Sequence, residues 1–169
     1  MRKSSFWTVY LMLTLFQLVL SNYGSFSPYV TISILPVMVL CIPTRIKTPV
    51  AMIVAFATGL VVDWLSEGVL GLNAFALVPV ALLRDGIIRA VFGSGLFARK
   101  EDFSIAKNGL SYVAFAVSMA QAMFLVLYIW ADGAGTRPFG FNAARFGASL
   151  VVSFIAAMLS VNALSPSDR

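Results

Sequence analysis

Residues 56–77 read Phe56-Ala57-Thr58-Gly59-Leu60-Val61-Val62-Asp63-Trp64-Leu65-Ser66-Glu67-Gly68-Val69-Leu70-Gly71-Leu72-Asn73-Ala74-Phe75-Ala76-Leu77. One apolar segment ends in a carboxylate, Asp63. A few polar and glycine residues follow, and a second apolar segment starts at Gly71-Leu72-Asn73-Ala74. Two unbroken apolar runs joined by a short polar turn predict a helical hairpin. Asp63 stands where its carboxylate can bond backbone N–H groups at the start of the second helix, as a capping residue does.

The rest of the chain resembles this stretch in its grease. Its 169 residues are 60% hydrophobic and 11% charged, with a mean hydropathy of +0.91. Soluble domains carry about a quarter charged residues, so a water-soluble fold would leave too much apolar surface uncovered. Runs of about 16 to 21 apolar residues match the roughly 20 helical residues that cross a bilayer core. An all-α polytopic membrane protein is the expected class. A transmembrane β-barrel would alternate apolar and polar residues over about ten positions, whereas Phe6–Leu20 and Ser111–Trp130 are apolar on all sides. Met1-Arg2-Lys3 before an apolar run has the look of a signal peptide. No small-residue cleavage site closes that run at Ser21-Asn22-Tyr23-Gly24, so it reads as a retained first helix.

Apolar runs place spans at about 5–21, 28–43, 49–65, 69–83, 111–130 and 143–163, all within one integral membrane domain covering residues 1–169. With the N-terminus inside, the inner segments hold every basic residue except Arg137 and Arg145 out of the 12 in the chain. That asymmetry follows the positive-inside rule and puts both termini in the cytoplasm. The net charge of +5 and pI near 9.7 then reflect topology rather than nucleic-acid binding. The connection at about 84–110 reads as a cytoplasmic loop. Its Ile87-Ile88-Arg89-Ala90-Val91-Phe92 is either an interfacial helix with Arg89 at the headgroups or part of a solvated loop.

Small residues mark expected helix contacts: Ala51, Ala55 and Gly59 on the third span, Ala116 and Ala120 on the fifth, Ala144 and Ala148 on the sixth. The first span looks bulky nearly all round, from Phe6 and Trp7 to Leu15 and Phe16. Trp7, Trp64, Trp130, Tyr10, Tyr29 and Tyr128 read as interface-belt aromatics.

Few residues suggest chemistry. A histidine-free chain has no imidazole for a triad, a metal site or a pH switch. Cys41 is the sole cysteine, so no intramolecular disulfide forms. Asp63 and Glu67 lie one helical turn apart and could share a face as a cation or acid–base pair. Two carboxylates are too few for a dedicated cation site, and a hydrated interfacial turn explains them as well. Gln17 and Gln121 near mid-span, and Asn73 early in the fourth span, suit interhelical hydrogen bonds, with substrate contact as the alternative. No ionisable residue is expected deep in a span, which argues against a proton-coupled pump. Gly93-Ser94-Gly95 lacks the Lys-Ser/Thr end of a phosphate loop. No catalytic residue, cofactor or metal is assigned.

Pro36 in an apolar run, a basic inner turn, Phe56-x-x-Gly59-Leu60-x-x-Asp63 and Leu70-Gly71-Leu72-Asn73-Ala74 together resemble the bacterial MreD family of rod shape-determining proteins. The resemblance covers the whole chain in topology and residues 36–84 in motif. Members often carry a Pro-Leu-Gly step and a histidine before the alanine; Val69-Leu70-Gly71 and Asn73 stand there in this chain. The resemblance implies a six-helix fold similar to the substrate-binding subunits of energy-coupling-factor vitamin transporters. It implies a non-enzymatic scaffold of the bacterial cytoplasmic membrane that supports cell shape and lateral peptidoglycan synthesis. The implied partners are an MreC-like bitopic protein and the elongation complex of MreB, RodA and a penicillin-binding transpeptidase. Gly59, Asp63, Gly71 and Asn73 are the structural and partner candidates: Asp63 would fix the hairpin, and the bulky first helix or the outer turns would meet the bitopic partner. A true vitamin-uptake subunit is the alternative. Such subunits use an alanine face on the first helix, and this one has no alanine or glycine between Phe6 and Leu20.

Overall fold

The computed structural model describes residues 3–23, 30–66, 69–93, 109–133 and 136–164. Among them every regular element is an α-helix. In chain order these are α1 (Lys3–Tyr23), α2 (Leu35–Leu40), α3 (Thr48–Leu65), α4 (Leu72–Phe92), α5 (Leu110–Gly133) and α6 (Phe139–Leu164). Among the described residues three stretches are long and apolar enough to cross a membrane: Thr48–Leu65, Leu110–Gly133 and the Phe139–Val161 part of α6. Leu11, Leu15, Ile53, Trp64, Phe115 and Ile155 point outward, and a bundle with such a surface suits hydrocarbon better than water.

The first departure from the sequence reading is at the second expected span. The run 28–43 is not one helix: residues 31–34 have no regular structure, and α2 has six residues with Pro36 in its first turn. Residues 28 and 29 lie outside the described residues. Ile34, Leu35, Val37, Met38, Val39, Leu40 and Ile42 are all 0% exposed, so this segment is the centre of the molecule. It packs against all five other helices. Its apolar composition reflects complete burial rather than contact with lipid.

The second departure is in α4. The fourth span was expected at 69–83, followed by a loop carrying Arg84 and Arg89. Instead the helix starts at Leu72 and runs on through Phe92. Ile87–Phe92 therefore continues α4 and is not a separate interfacial helix. Arg84 is 0% exposed. The remaining expected connection, residues 94–108, lies outside the described residues, as do Ser94 and Gly95 of the glycine-rich stretch.

The third concerns α1. Its outward face is bulky, but Tyr10, Thr14 and Gln17 form a buried polar stripe on the inward side. Tyr10 is thus not an interface-belt residue: its hydroxyl meets Thr58 Oγ1 at 3.1 Å and ties α1 to α3. Trp64 and Trp130 are exposed, and Tyr29 is outside the described residues. Of the small-residue faces, Ala51, Ala55, Ala116 and Ala120 are fully buried at helix contacts, whereas Ala144 is exposed.

Candidate functional site

The α3–α4 hairpin is an interlock built from the motif residues. Asp63, in the last turn of α3, is 2% exposed. Its Oδ1 accepts the Asn73 N–H at 3.1 Å and the Asn73 side-chain amide at 2.8 Å. Its Oδ2 accepts the same N–H at 3.1 Å and that of Ala74 at 3.3 Å. These amides belong to the first turn of α4, where backbone N–H groups lack intrahelical partners and the helix dipole is positive. A buried carboxylate is costly unless bonded, and this one takes the helix end as its counter-charge. Asp63 thus caps α4 from another helix.

Two glycines make that approach possible. Gly59 lies one turn before Asp63, and a Cβ there would sit 2.5 Å from Ala74 Cα and 2.6 Å from Ala74 N. No side chain fits against backbone at that range. Gly71 precedes α4 with φ +89°, the left-handed turn that brings the chain back over α3. Gly59, Asp63, Gly71 and Asn73 therefore meet in one structural unit. Glu67, the suggested second carboxylate, lies outside the described residues.

A second polar constellation surrounds residues 31–34, which form no regular element. The Thr31 N–H donates to Ser149 Oγ at 2.8 Å, and the Ser33 N–H to Ser153 Oγ at 3.0 Å. Ser153 Oγ donates in turn to the Thr31 carbonyl at 3.1 Å. Gln17 bridges two positions of this segment: its Oε1 accepts the Ile34 N–H at 2.8 Å and its Nε2 donates to the Ile32 carbonyl at 3.1 Å. Gln121 Nε2 donates to the Ser33 carbonyl at 2.7 Å. Side chains of α1, α5 and α6 thus take the place of a sheet neighbour. An apolar interior tolerates irregular backbone only when such partners exist. Gln17 and Gln121, read as bridges between helices, instead hold this backbone. Gln121 Oε1 is buried and accepts no hydrogen bond from the described residues.

Buried guanidinium groups close both ends of the segment. Arg145 Nε and Nη2 donate to Thr31 Oγ1 at 3.2 and 2.9 Å, and its Nη1 to Asp132 Oδ2. At the other end Arg84 Nη2 donates to the Ile42 carbonyl, and its Nη1 to Asp85 Oδ1 at 3.2 Å. Asp85 Oδ2 accepts the Thr48 hydroxyl at 2.7 Å, which draws in the start of α3. Three ionisable side chains expected at span ends are enclosed by protein: Asp63, Arg84 and Arg145 are each less than a tenth exposed. The sequence reading took both arginines for topology markers and overlooked the serines. The signal for them was spacing: Arg145, Ser149 and Ser153 recur every four residues, as do Tyr10 and Thr14.

These arrangements fix backbone; among the described residues no three His, Cys, Asp or Glu side chains gather to hold a metal ion. Comparison with protein-family models, curated proteins and solved structures gives no match to this chain.

Proposed function

We propose that this chain is a non-enzymatic, multi-pass subunit of the bacterial cell-elongation machinery, an MreD-like scaffold of the cytoplasmic membrane with both termini in the cytoplasm. On this reading it crosses the membrane six times, one crossing being the broken 30–42 segment. Its partners are an MreC-like bitopic protein and the complex of MreB, RodA and a transpeptidase. The observation that carries the reading is the hairpin interlock. The residues behind the family resemblance, Gly59, Asp63, Gly71 and Asn73, all act on one joint, and each has a backbone-fixing role there. A motif of that kind fits a part whose task is to present a rigid surface. The apolar turn residues Trp64, Leu65, Val69 and Leu70, all exposed, lie beside the joint where a partner helix can reach them.

The test is affinity purification of the tagged chain from native membranes in mild detergent. An MreC-like protein and cell-wall enzymes should co-purify, and Asp63→Ala should reduce their recovery more than Lys47→Ala, an exposed residue. Equal recovery from both variants would remove the hairpin from the argument.

The vitamin-uptake alternative has one observation in its favour. Broken helices at membrane depth, with free carbonyls and polar side chains, are where transporters place their substrates. The break at 31–34 and the buried acceptor Gln121 Oε1 have that character. Recovery of an ATPase pair with a coupling subunit, and no cell-wall proteins, would make this the function.

A further inference from the structure

Arg137 and Arg145 both place Nη1 on the same carboxylate oxygen, Asp132 Oδ2, Arg137 at 2.8 Å. The two cations are not equivalent. Arg145 is buried, and Asp132 and Thr31 together occupy its three guanidinium nitrogens. It already answers the Asp132 charge. Asp63, whose carboxylate is also at this end, is turned onto the amides of α4. Arg137 is thus a second cation on an oxygen that already has one, and its side chain is 39% exposed.

Its guanidinium is also held in place. Phe141 lies under it with 5.7 Å from Cζ to the ring centroid, and the Asp132 bond fixes its edge. A guanidinium ordered in advance loses little entropy on meeting an anion, and its fork matches a phosphate. The same end of the bundle, where α5 closes and α6 begins, also exposes two large apolar rings: Phe139 is 88% exposed and Trp130 66%. A soluble phosphate has no use for those rings. A phospholipid does, because its acyl chains lie beside its phosphate.

We propose that Arg137, braced by Asp132 and Phe141 at the end of the bundle that exposes Trp130 and Phe139, is a binding site for the phosphate of a phospholipid headgroup. The site anchors the α5–α6 end of the bundle to one leaflet. This inference does not rest on the scaffold assignment and stands or falls separately.

The experiment is native mass spectrometry of the full chain in detergent, titrated with dioleoylphosphatidylglycerol, dioleoylglycerol or inorganic phosphate. Wild type should retain phosphatidylglycerol, and Arg137→Ala should bind it about tenfold more weakly, the loss of one charge-assisted hydrogen bond. Arg137→Lys keeps the charge without the fork; it should weaken binding by a few fold, and it serves if the alanine variant fails to fold. Arg45→Ala, exposed in the turn before α3, should bind as wild type does. Dioleoylglycerol should not be retained, and inorganic phosphate should not displace the lipid. Unchanged binding by both Arg137 variants would overturn the site. Equal retention of dioleoylglycerol would overturn phosphate recognition, and displacement by inorganic phosphate would make the ligand a soluble anion.

Discussion

Gly59→Ala tests the hairpin directly, because the perturbation is a single methyl group. Non-bonded carbons settle at about 3.5–4.0 Å, whereas the new Cβ would lie 2.5 Å from Ala74 Cα and 2.9 Å from the Asn73 carbonyl carbon. Both obstacles are backbone, so no rotamer change relieves them. α4 must retreat from α3 by about 1 Å. That shift takes the Asn73 and Ala74 amides, now 3.1 and 3.3 Å from Asp63, out of hydrogen-bond range. Overpacking costs about 1–3 kcal/mol. Loss of bonds to a buried carboxylate adds about 1.5–3 kcal/mol. The better helix propensity of alanine returns about 1 kcal/mol. The net is about 3 kcal/mol, or about 6–12 °C in Tm for a chain of this size. The assay is thermal unfolding in mild detergent followed by tryptophan fluorescence. Gly86→Ala is the internal control, since a Cβ there meets nothing within 4 Å. It should leave Tm unchanged or raise it slightly. A Gly59→Ala protein melting within about 2 °C of wild type would refute the close approach of the two helices.

Gln17→Leu keeps the volume of the side chain but removes both partners of residues 32 and 34. Each backbone group left unpaired costs about 1–3 kcal/mol, so the same assay should show a Tm loss several times that of exposed Ser111→Ala. Equal melting of the two variants would mean that the irregular segment finds other partners. Cys41 gives a check on the enclosure of α2. At 5% exposure, the thiol should resist a membrane-permeant maleimide in the native protein and react fully once unfolded in dodecyl sulfate. Prompt labelling in the native state would place the 34–42 segment at a surface.

The hairpin was legible because its logic is local. Asp63 and Asn73 are ten residues apart, and the turn between them is written in glycine and polar residues. Carboxylate, turn and small residues could be read together with no knowledge of the rest of the chain. The broken second span was not legible, for a reason opposite in kind. Residues 30–42 are mostly apolar, and Pro36, which marks the start of α2, reads equally as a proline tolerated inside a span. The break is stabilised by Ser149 and Ser153, which lie 118 and 120 residues further along the chain from Thr31 and Ser33. Composition reports burial, but it does not separate burial in lipid from burial in protein. Arg84 was misplaced by the same limitation. A basic residue near the end of an apolar run reads as a topology marker, whereas here it bonds the Ile42 carbonyl from 42 residues away.

The two arginines explain why a chain of this kind leaves its central segment irregular. A regular helix satisfies its backbone from within and owes nothing to its neighbours. Residues 31–34 instead depend on α1, α5 and α6, so the positions of those helices and the path of this segment are specified together. Arg145 fixes one end through Thr31, and Arg84 fixes the other through Ile42. Removing Arg145 would leave Asp132 with Arg137 alone and take the donors from Thr31 Oγ1. Removing Arg84 would take the guanidinium from Asp85 and the donor from the Ile42 carbonyl. A polar group left unpaired in this way costs about 1–3 kcal/mol. The same logic governs Asp63, whose carboxylate joins α3 to α4 instead of reaching solvent. Buried charge in this fold therefore sits where one element must be held to another. That is a mechanical use of ionisable groups: each of these three is committed to a backbone or hydroxyl partner, whereas Arg137 keeps a coordinated, half-open guanidinium to offer outward.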